Sequence, residues 1–454
     1  MLKIKVHRGS HQIGGSITEI YTEKTHIFVD FGSELNADPE DSTDAEMIDM
    51  IRHAQCDAVL FTHYHGDHIG LIKSIPEKDV DGKVIKLGMG KVSRQVLVNI
   101  HQTLAGFEDS GKEHQEYLDL LQDDDRRIDI EDNDPFTVGD IKITPILVDH
   151  SAYDAYMFII ESDGKIIAHT GDFRTHGRLG KGFFERLEKA LAGKAVDVLI
   201  TEGTMMSRLG EKVLSEEQMQ SEALKILKEP ENKYAFLICS STNVDSLASF
   251  ANAAMKLGRA FYVNYYVYEQ IKLYRETAGE DNKAYKFWKT YEFESMNAYN
   301  PKLKMTQPEF MRENGFLMLI GSSDAYRRRI DYFKDQNPLL IYSMWGGYVK
   351  KDSDTYDQKM GALYHGWDPK RRKDLHTSGH ATADDIKRMI LTVKPQEFIV
   401  PIHTEKPEMF EKLDIGEYSE KIKIIDDSGV CQVKCVNFFD FFIGGLSDRR
   451  FYAL

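Results

Sequence analysis

The stretch FTHYHGDHIG, Phe61 to Gly70, places His63, His65, Asp67 and His68 directly after the apolar run AVL. Alternation along an extended chain would turn His63 and His65 the same way. Asp67 and His68 follow Gly66, where the chain can bend sharply. The apolar IGLIKSI beyond them reads as a helix. Neutral imidazole and carboxylate are good zinc ligands, so H-x-H-x-D-H reads as half of a metal site. A solvated polar loop can carry the same residues, and the reading therefore depends on ligands supplied from elsewhere in the chain.

Three distant residues fit that need: His150 in VDHSAYDAY, Asp172 in HTGDF and His403 in PIHTE. Each closes a short apolar run, where α/β folds gather their functional groups. A carboxylate has two oxygens, so Asp172 can bridge two ions. The expected sets are His63, His65, His150 and Asp172 at one ion, and Asp67, His68, Asp172 and His403 at the other. Coordination would lower the pKa of a shared water and yield hydroxide at neutral pH.

The surrounding sequence reads as an α/β protein. HIFVDFG, KIIAHTGDF and VDVLITEGT look like strands buried on both faces beneath helices. The chain has 454 residues, more than one domain usually needs. From about Gly210 its character shifts to a second strand-loop-helix unit, and after the KRRK run (Lys370–Lys373) the first style returns. The expected division is 1–209, 210–370 and 371–454. The polar, Tyr-rich stretch from Phe287 to Asn300 has no assignment.

Composition narrows the class. Hydrophobic residues make up 42% and the net charge is −15. That charge counts against a uniformly basic nucleic-acid binder, and RRR (Arg327–Arg329) and KRRK read most simply as solvated helix faces. No apolar run reaches the roughly 18 residues of a membrane span, and MLKIKVHRGS lacks the apolar core of a secretion signal. Cys56, Cys239, Cys431 and Cys435 form no disulfide framework. A cytoplasmic location is expected.

The order THYHGDH, VDHS, HTGDF, PIHTE resembles the metallo-β-lactamase superfamily of hydrolases, and Asp30 in FVDFG matches its first motif. Glu202 in LITEGT, His380 in HTSGHA and His403 resemble motifs A, B and C of the β-CASP nucleases. HTSGHA and QIGGS are most similar to the ribonuclease J type, over the chain to about Val436. The resemblance implies an αββα sandwich with an inserted β-CASP α/β domain. It also implies two Zn²⁺ ions, with Mn²⁺ as the alternative, and a single-stranded RNA substrate. The activity implied is 5′-to-3′ exonuclease cleavage, with internal cleavage in addition.

Site roles follow from this. His380 would protonate the leaving oxygen or stabilise the phosphate, Glu202 would orient it, and Asp67 would belong to both the ligand set and the catalytic set. TADD (Thr382–Asp385) is a capping box, so His376, Ser378 and His380 precede a helix N-terminus suited to a phosphate. Ser241 and Asn243 in SSTN, and Ser322 and Ser323 in GSSDAY, are expected to hold the backbone of a strand in a charged groove, with KRRK beside the cleft. A DNA nuclease of the same fold is the nearest alternative. An ester or thioester hydrolase has no use for the insert, and a non-catalytic RNA-binding subunit has no use for a full ligand set. Ribonuclease J enzymes dimerise through a further C-terminal domain. Here the aromatic NFFDFFIGGLSDRRFYAL follows instead, so that route is not expected, and the oligomeric state is not set by the sequence.

Overall fold

The structure is a computed structural model that describes residues 1–35, 42–106, 111–353 and 355–433. The aromatic tail and Cys435 lie outside the described residues. Among those described, no helix is long and apolar enough to cross a membrane, and Cys56, Cys239 and Cys431 are free thiols.

An antiparallel meander opens the chain: β1 (Lys3–Arg8), β2 (Ile17–Tyr21) and β3 (His26–Val29). Parallel pairing then adds β4 (Ala58–Leu60), β5 (Lys86–Gly90) and β6 (Arg127–Ile130). A second meander runs through β7 (Phe136–Val138), β8 (Ile141–Val148), β9 (Ala155–Ser162) and β10 (Lys165–His169), with β11 (Val198–Glu202) parallel to β10. The next unit holds β12 (Tyr234–Cys239), β13 (Phe261–Val263), β14 (Thr290–Glu292), the hairpin β15 (Tyr299–Asn300) and β16 (Met305–Thr306), β17 (Phe316–Leu319), β18 (Leu339–Ser343) and β19 (Arg372–Asp374). The chain then returns as β20 (Phe398–Ile402) and β21 (Gly429–Gln432) to the sheets it left, β20 beside β11 and β21 beside β1.

The first two sheets face each other over one apolar core built by Ile4, Val29 and Leu60 from one side and Phe158, Ile200 and Val400 from the other. Helices cover the outer faces, Phe183–Ala190 and Ala383–Val393 on one and Asp44–Arg52 and Lys91–Ala105 on the other. The inserted sheet, β14-β13-β17-β12-β18-β19, is parallel throughout. Its four inner strands, β13, β17, β12 and β18, read as apolar runs because both faces are covered. The two units share a core cluster that joins Val96 to Ile271. Tyr64 bridges them as well, its hydroxyl accepting from Tyr153 N–H and donating to Thr242 O, each at 2.9 Å.

Several local expectations need correcting. β4 stops at Leu60, so His63 and His65 stand on a loop rather than on an alternating strand. The loop is held by backbone bonds from Phe31 N to His68 O and from Ser33 N to Gly66 O. It also needs Gly32, where a Cβ would lie 1.8 Å from Asp67 O. The helix at Gly66 is short, Gly66–Ile69, followed by a 3₁₀ turn. The unassigned Tyr-rich stretch supplies β14, the edge strand.

KRRK is not a solvated helix face: Arg371 donates to Glu231 O and Asn232 Oδ1 at 2.8 Å, and the Arg372 guanidinium sits 3.7 Å from the centre of the Tyr364 ring. These arginines tie the inserted unit together. RRR lies on the helix Asp324–Phe333 with Arg327 and Arg328 exposed, while Arg329 stacks on Phe293 and Tyr326.

Candidate metal centre

Sheet register sets the site. Glu202 pairs with Ile402, so Glu202 and His403 reach the same end of adjacent strands. His150 follows β8 and Asp172 follows β10 at that end, and the FTHYHGDHIG loop closes over them. The ring centres of His63 lie 4.7 Å from His65, 4.5 Å from His150 and 4.1 Å from His68, and His68 lies 4.9 Å from His403. Asp172 Oδ2 sits among them, 3.1 Å from His68 Nε2, 3.6 Å from His403 Nε2 and 4.0 Å from His63 Nε2. The donor atoms fall into groups that include His63–His65–His150, His63–His68–Asp172 and Asp67–His68–His403.

The chemistry of these atoms fits cations. His63 Nε2, His68 Nε2, His403 Nε2 and Asp172 Oδ1 are buried without a hydrogen-bond partner, which is costly unless something else satisfies them. The opposite ring nitrogens are anchored. His68 Nδ1–H donates to Asp30 Oδ2 at 2.7 Å, and His150 Nδ1–H donates to Gly379 O at 2.6 Å. The Thr62 hydroxyl gives its proton to Asp30, so it accepts from His63 Nδ1–H at 3.0 Å. Such outer partners fix the tautomer that leaves Nε2 free to ligate. His403 reverses the pattern: Gly14 N–H donates to Nδ1 at 3.2 Å, so a neutral ring carries its proton on Nε2. Ligation there requires that contact to give way.

Burial holds the His63 and His150 imidazoles well below their usual range, and His65 at about 4, the neutral form a metal needs. At His68 burial also opposes charge, but Asp172, Asp30 and Asp67 outweigh it and hold the ring protonated. A cation bound there would take that proton's place.

His380 adjoins the cluster. Its Nδ1 lies 3.2 Å from Glu202 Oε2 and 3.4 Å from Asp172 Oδ2. Glu202 Oε1 accepts from Phe173 N–H at 2.9 Å and from Ala381 N–H at 3.3 Å, so one buried carboxylate positions both neighbouring loops. Burial opposes charge on His380, yet Glu202 and Asp172 raise it to about 9. Ser378 turns its hydroxyl to His380 N–H at 3.1 Å, and the Thr382–Asp385 capping box is formed. Burial pushes His376 down to about 4, with Nδ1 unpartnered.

Two of the other expected phosphate groups are occupied locally: Ser241 Oγ meets the Tyr266 hydroxyl, and Asn243 Oδ1 caps the helix Val244–Lys256. Ser323 is exposed at the start of the helix Asp324–Phe333 and its hydroxyl makes no cap bond. Ser322 stands beside it, half-buried, at the end of β17.

Arg174 went unnoticed in the sequence. It is fully buried, and its guanidinium reaches Asp149 at 2.9 Å, Asp245 at 2.8 Å, Glu216 at 3.3 Å and Ser378 O at 3.0 Å. It thus joins the His150 loop, two helices of the inserted unit and the His380 loop. Burial raises Asp149 to about 7 and also raises Glu216, so the cluster depends on its guanidinium. R174M is expected to cost about 3–5 kcal/mol of stability, since it strands buried carboxylates. Urea unfolding measures this, and an unchanged midpoint would mean the carboxylates need no counter-charge.

A family model described as a beta-lactamase superfamily domain matches residues 42–238. A second, described as a Zn-dependent metallo-hydrolase RNA specificity domain, matches residues 370–413, which span HTSGHA and PIHTE. Among solved structures, the crystal structure of a protein of unknown function from Enterococcus faecalis V583 is similar in fold. Its TM-score is 0.67 at 21% identity, covering 95% of this chain and 99% of that one. The expected sandwich with an additional α/β domain agrees with the sheets and with the first match.

Proposed function

We propose, for a chain that belongs to the metallo-β-lactamase superfamily and carries its RNA specificity domain, that it is a ribonuclease cutting single-stranded RNA from the 5′ end, with internal cleavage in addition. The observation that carries this reading is His380 standing 3.4 Å from Asp172 inside a segment matched to RNA specificity. His63, His65 and His150 would hold one cation, Asp67, His68 and His403 a second, and Asp172 would bridge them. When bound, the cations supply Lewis acidity, activating water and screening the phosphate's negative charge.

The chain's own groups do the rest. Glu202 accepts from His380 Nδ1 and fixes the ring. His380, protonated, offers its Nε2 proton to the departing 3′ oxygen; water adds to phosphorus as the P–O3′ bond breaks, its lost proton passes to solvent and restores the imidazolium, and the products are a 3′ hydroxyl and a 5′ phosphate. Ser378 and the capped helix start at Thr382 hold the loop that presents His380. The Arg174 cluster keeps the inserted unit and that loop in register.

The test is digestion of a labelled RNA bearing a 5′ monophosphate, triphosphate or hydroxyl, beside the same sequence as single-stranded DNA. Metal-dependent release of mononucleotides from the monophosphorylated RNA is expected. Intact RNA alongside degraded DNA would overturn the reading.

A further inference from the structure

The turn after β18, SMWGGY, carries an aromatic pair that the catalytic reading leaves unused. Trp345 is 39% exposed, one of thirteen large apolar side chains open to solvent among the described residues. Its carbonyl accepts from the Tyr342 hydroxyl at 3.0 Å, which fixes the turn. Its ring lies edge-on to Tyr348, with centres 5.6 Å apart at 86°. The indole folds over Gly347, where a Cβ would stand 2.2 Å from the ring. From the other unit Arg208 brings its guanidinium to 6.0 Å from the Trp345 ring centre. Arg208's remaining partner is Glu211 at 3.4 Å, with both side chains partly exposed. The guanidinium therefore stands over the indole across the join between the units, the indole backed by Tyr348 and Gly347 and the arginine paired with Glu211.

Their position relates to the site. Arg208 also lines a cavity of about 520 Å³ with Thr175, His176, Met205, Thr382 and Asp385. His176 Nε2 donates from that wall to Ser378 O at 2.8 Å, in the loop that carries His380. Arg208 thus stands both against Trp345 and in the wall of a cavity that it shares with Thr382 and His176, beside the loop of the proposed reaction, and the cavity's size suits a nucleotide-scale ligand.

We infer that Trp345 and Arg208 form a nucleobase subsite, in which a base of the substrate strand slides between indole and guanidinium. An indole face and a planar cation are the groups on which unpaired bases stack, without regard to sequence. A base sandwiched between two planes needs about 3.5 Å on each side, roughly 7 Å in all. The present 6.0 Å gap therefore opens by about 1 Å as the partly exposed arginine swings outward. The inference rests on the ribonuclease reading and adds to it a grip on bases rather than on phosphates.

The experiment uses the metal-loaded protein and a 5′-monophosphorylated oligoadenylate decamer, intact or with a single abasic ribose at each position in turn. Wild type should lose about 5- to 50-fold in kcat/KM at one position near the cleaved bond, mostly through KM. W345A should show that loss on the intact decamer and no further loss from the abasic ribose at that position. W345F and R208Q, milder changes, should fall between, and they stand in if W345A does not fold. A variant that is only less stable would lose equally on every substrate. Equal abasic penalties in wild type and variants, at every position, would overturn the subsite alone. A wild type that neither binds nor cuts the intact decamer would overturn the ribonuclease reading and the subsite with it.

Discussion

D172N is expected to cut RNA hydrolysis by about 10³-fold or more while leaving the fold intact. Asparagine keeps the shape of the side chain and removes its charge. In the native site Asp172 Oδ2 is the carboxylate atom common to His63, His68, His403 and His380, and Oδ1 is buried with no partner. Burial opposes its charge, but His403, His68 and His380 hold it well below the usual carboxylate range, so the group is ionised at every working pH. An amide there cannot bridge cations, and its NH₂ would turn a donor toward the nitrogens that must ligate. The measurement has two parts. Elemental analysis should find less bound metal per chain than in wild type. Zinc should also stop raising the melting temperature, since a ligand at 100 times its Kd adds about 2.7 kcal/mol to a native state that binds it. Full metal content with an unchanged rate would mean that Asp172 bridges nothing.

The candidate ligand cluster was legible in part because His150, Asp172 and His403 follow strand ends, and strand ends can be read locally. AVL, ILV and FIVPI announce buried strands, and a candidate ligand follows each within three residues: His63, His150 and His403. His63 and His65 are different, since β4 stops at Leu60 and strand alternation does not place them. Backbone bonds from residues 31 and 33, together with Gly32, position them instead. No period in FTHYHGDHIG carries that information.

Arg174 marks the opposite case. Its partners Glu216 and Asp245 lie on helices of the inserted unit, and nothing near HTGDFR distinguishes a buried arginine from an exposed one. Two of the four charges in KRRK are hidden for the same reason: the carbonyls and ring that engage Arg371 and Arg372 come from elsewhere in the inserted unit, while Lys370 and Lys373 stay exposed. Asn243 illustrates a smaller ambiguity, because a polar residue after a strand serves equally as a ligand contact or as a helix cap, and here it caps. Trp345 was passed over because a lone aromatic in a glycine turn has no sequence signature. Its meaning depends on Arg208, which the fold brings in from the other unit.

H380Q is expected to lower kcat by about 10²- to 10⁴-fold, the range for losing a general acid, while KM and bound metal stay near their wild-type values. Glutamine fills similar space and can still meet Glu202, but it has no proton to give. The sign of the pH effect follows from the raised pKa. Below it the imidazolium holds its proton, and as pH rises through it the acid is lost, so wild-type kcat should fall on the alkaline side. Glu202 and Asp172 place that point at about 9, and cations at Asp172 would draw it lower by offsetting one of the two carboxylates. H380Q should lack this alkaline limb altogether. E202Q should keep the limb but shift it toward lower pH, because it removes the larger of the two carboxylate effects on the ring. The limb is what separates a proton donor from a histidine that merely packs. A packing role would lower kcat at all pH values alike and leave the profile's shape unchanged, and an H380Q profile parallel to wild type would sink the assignment of His380 as the acid.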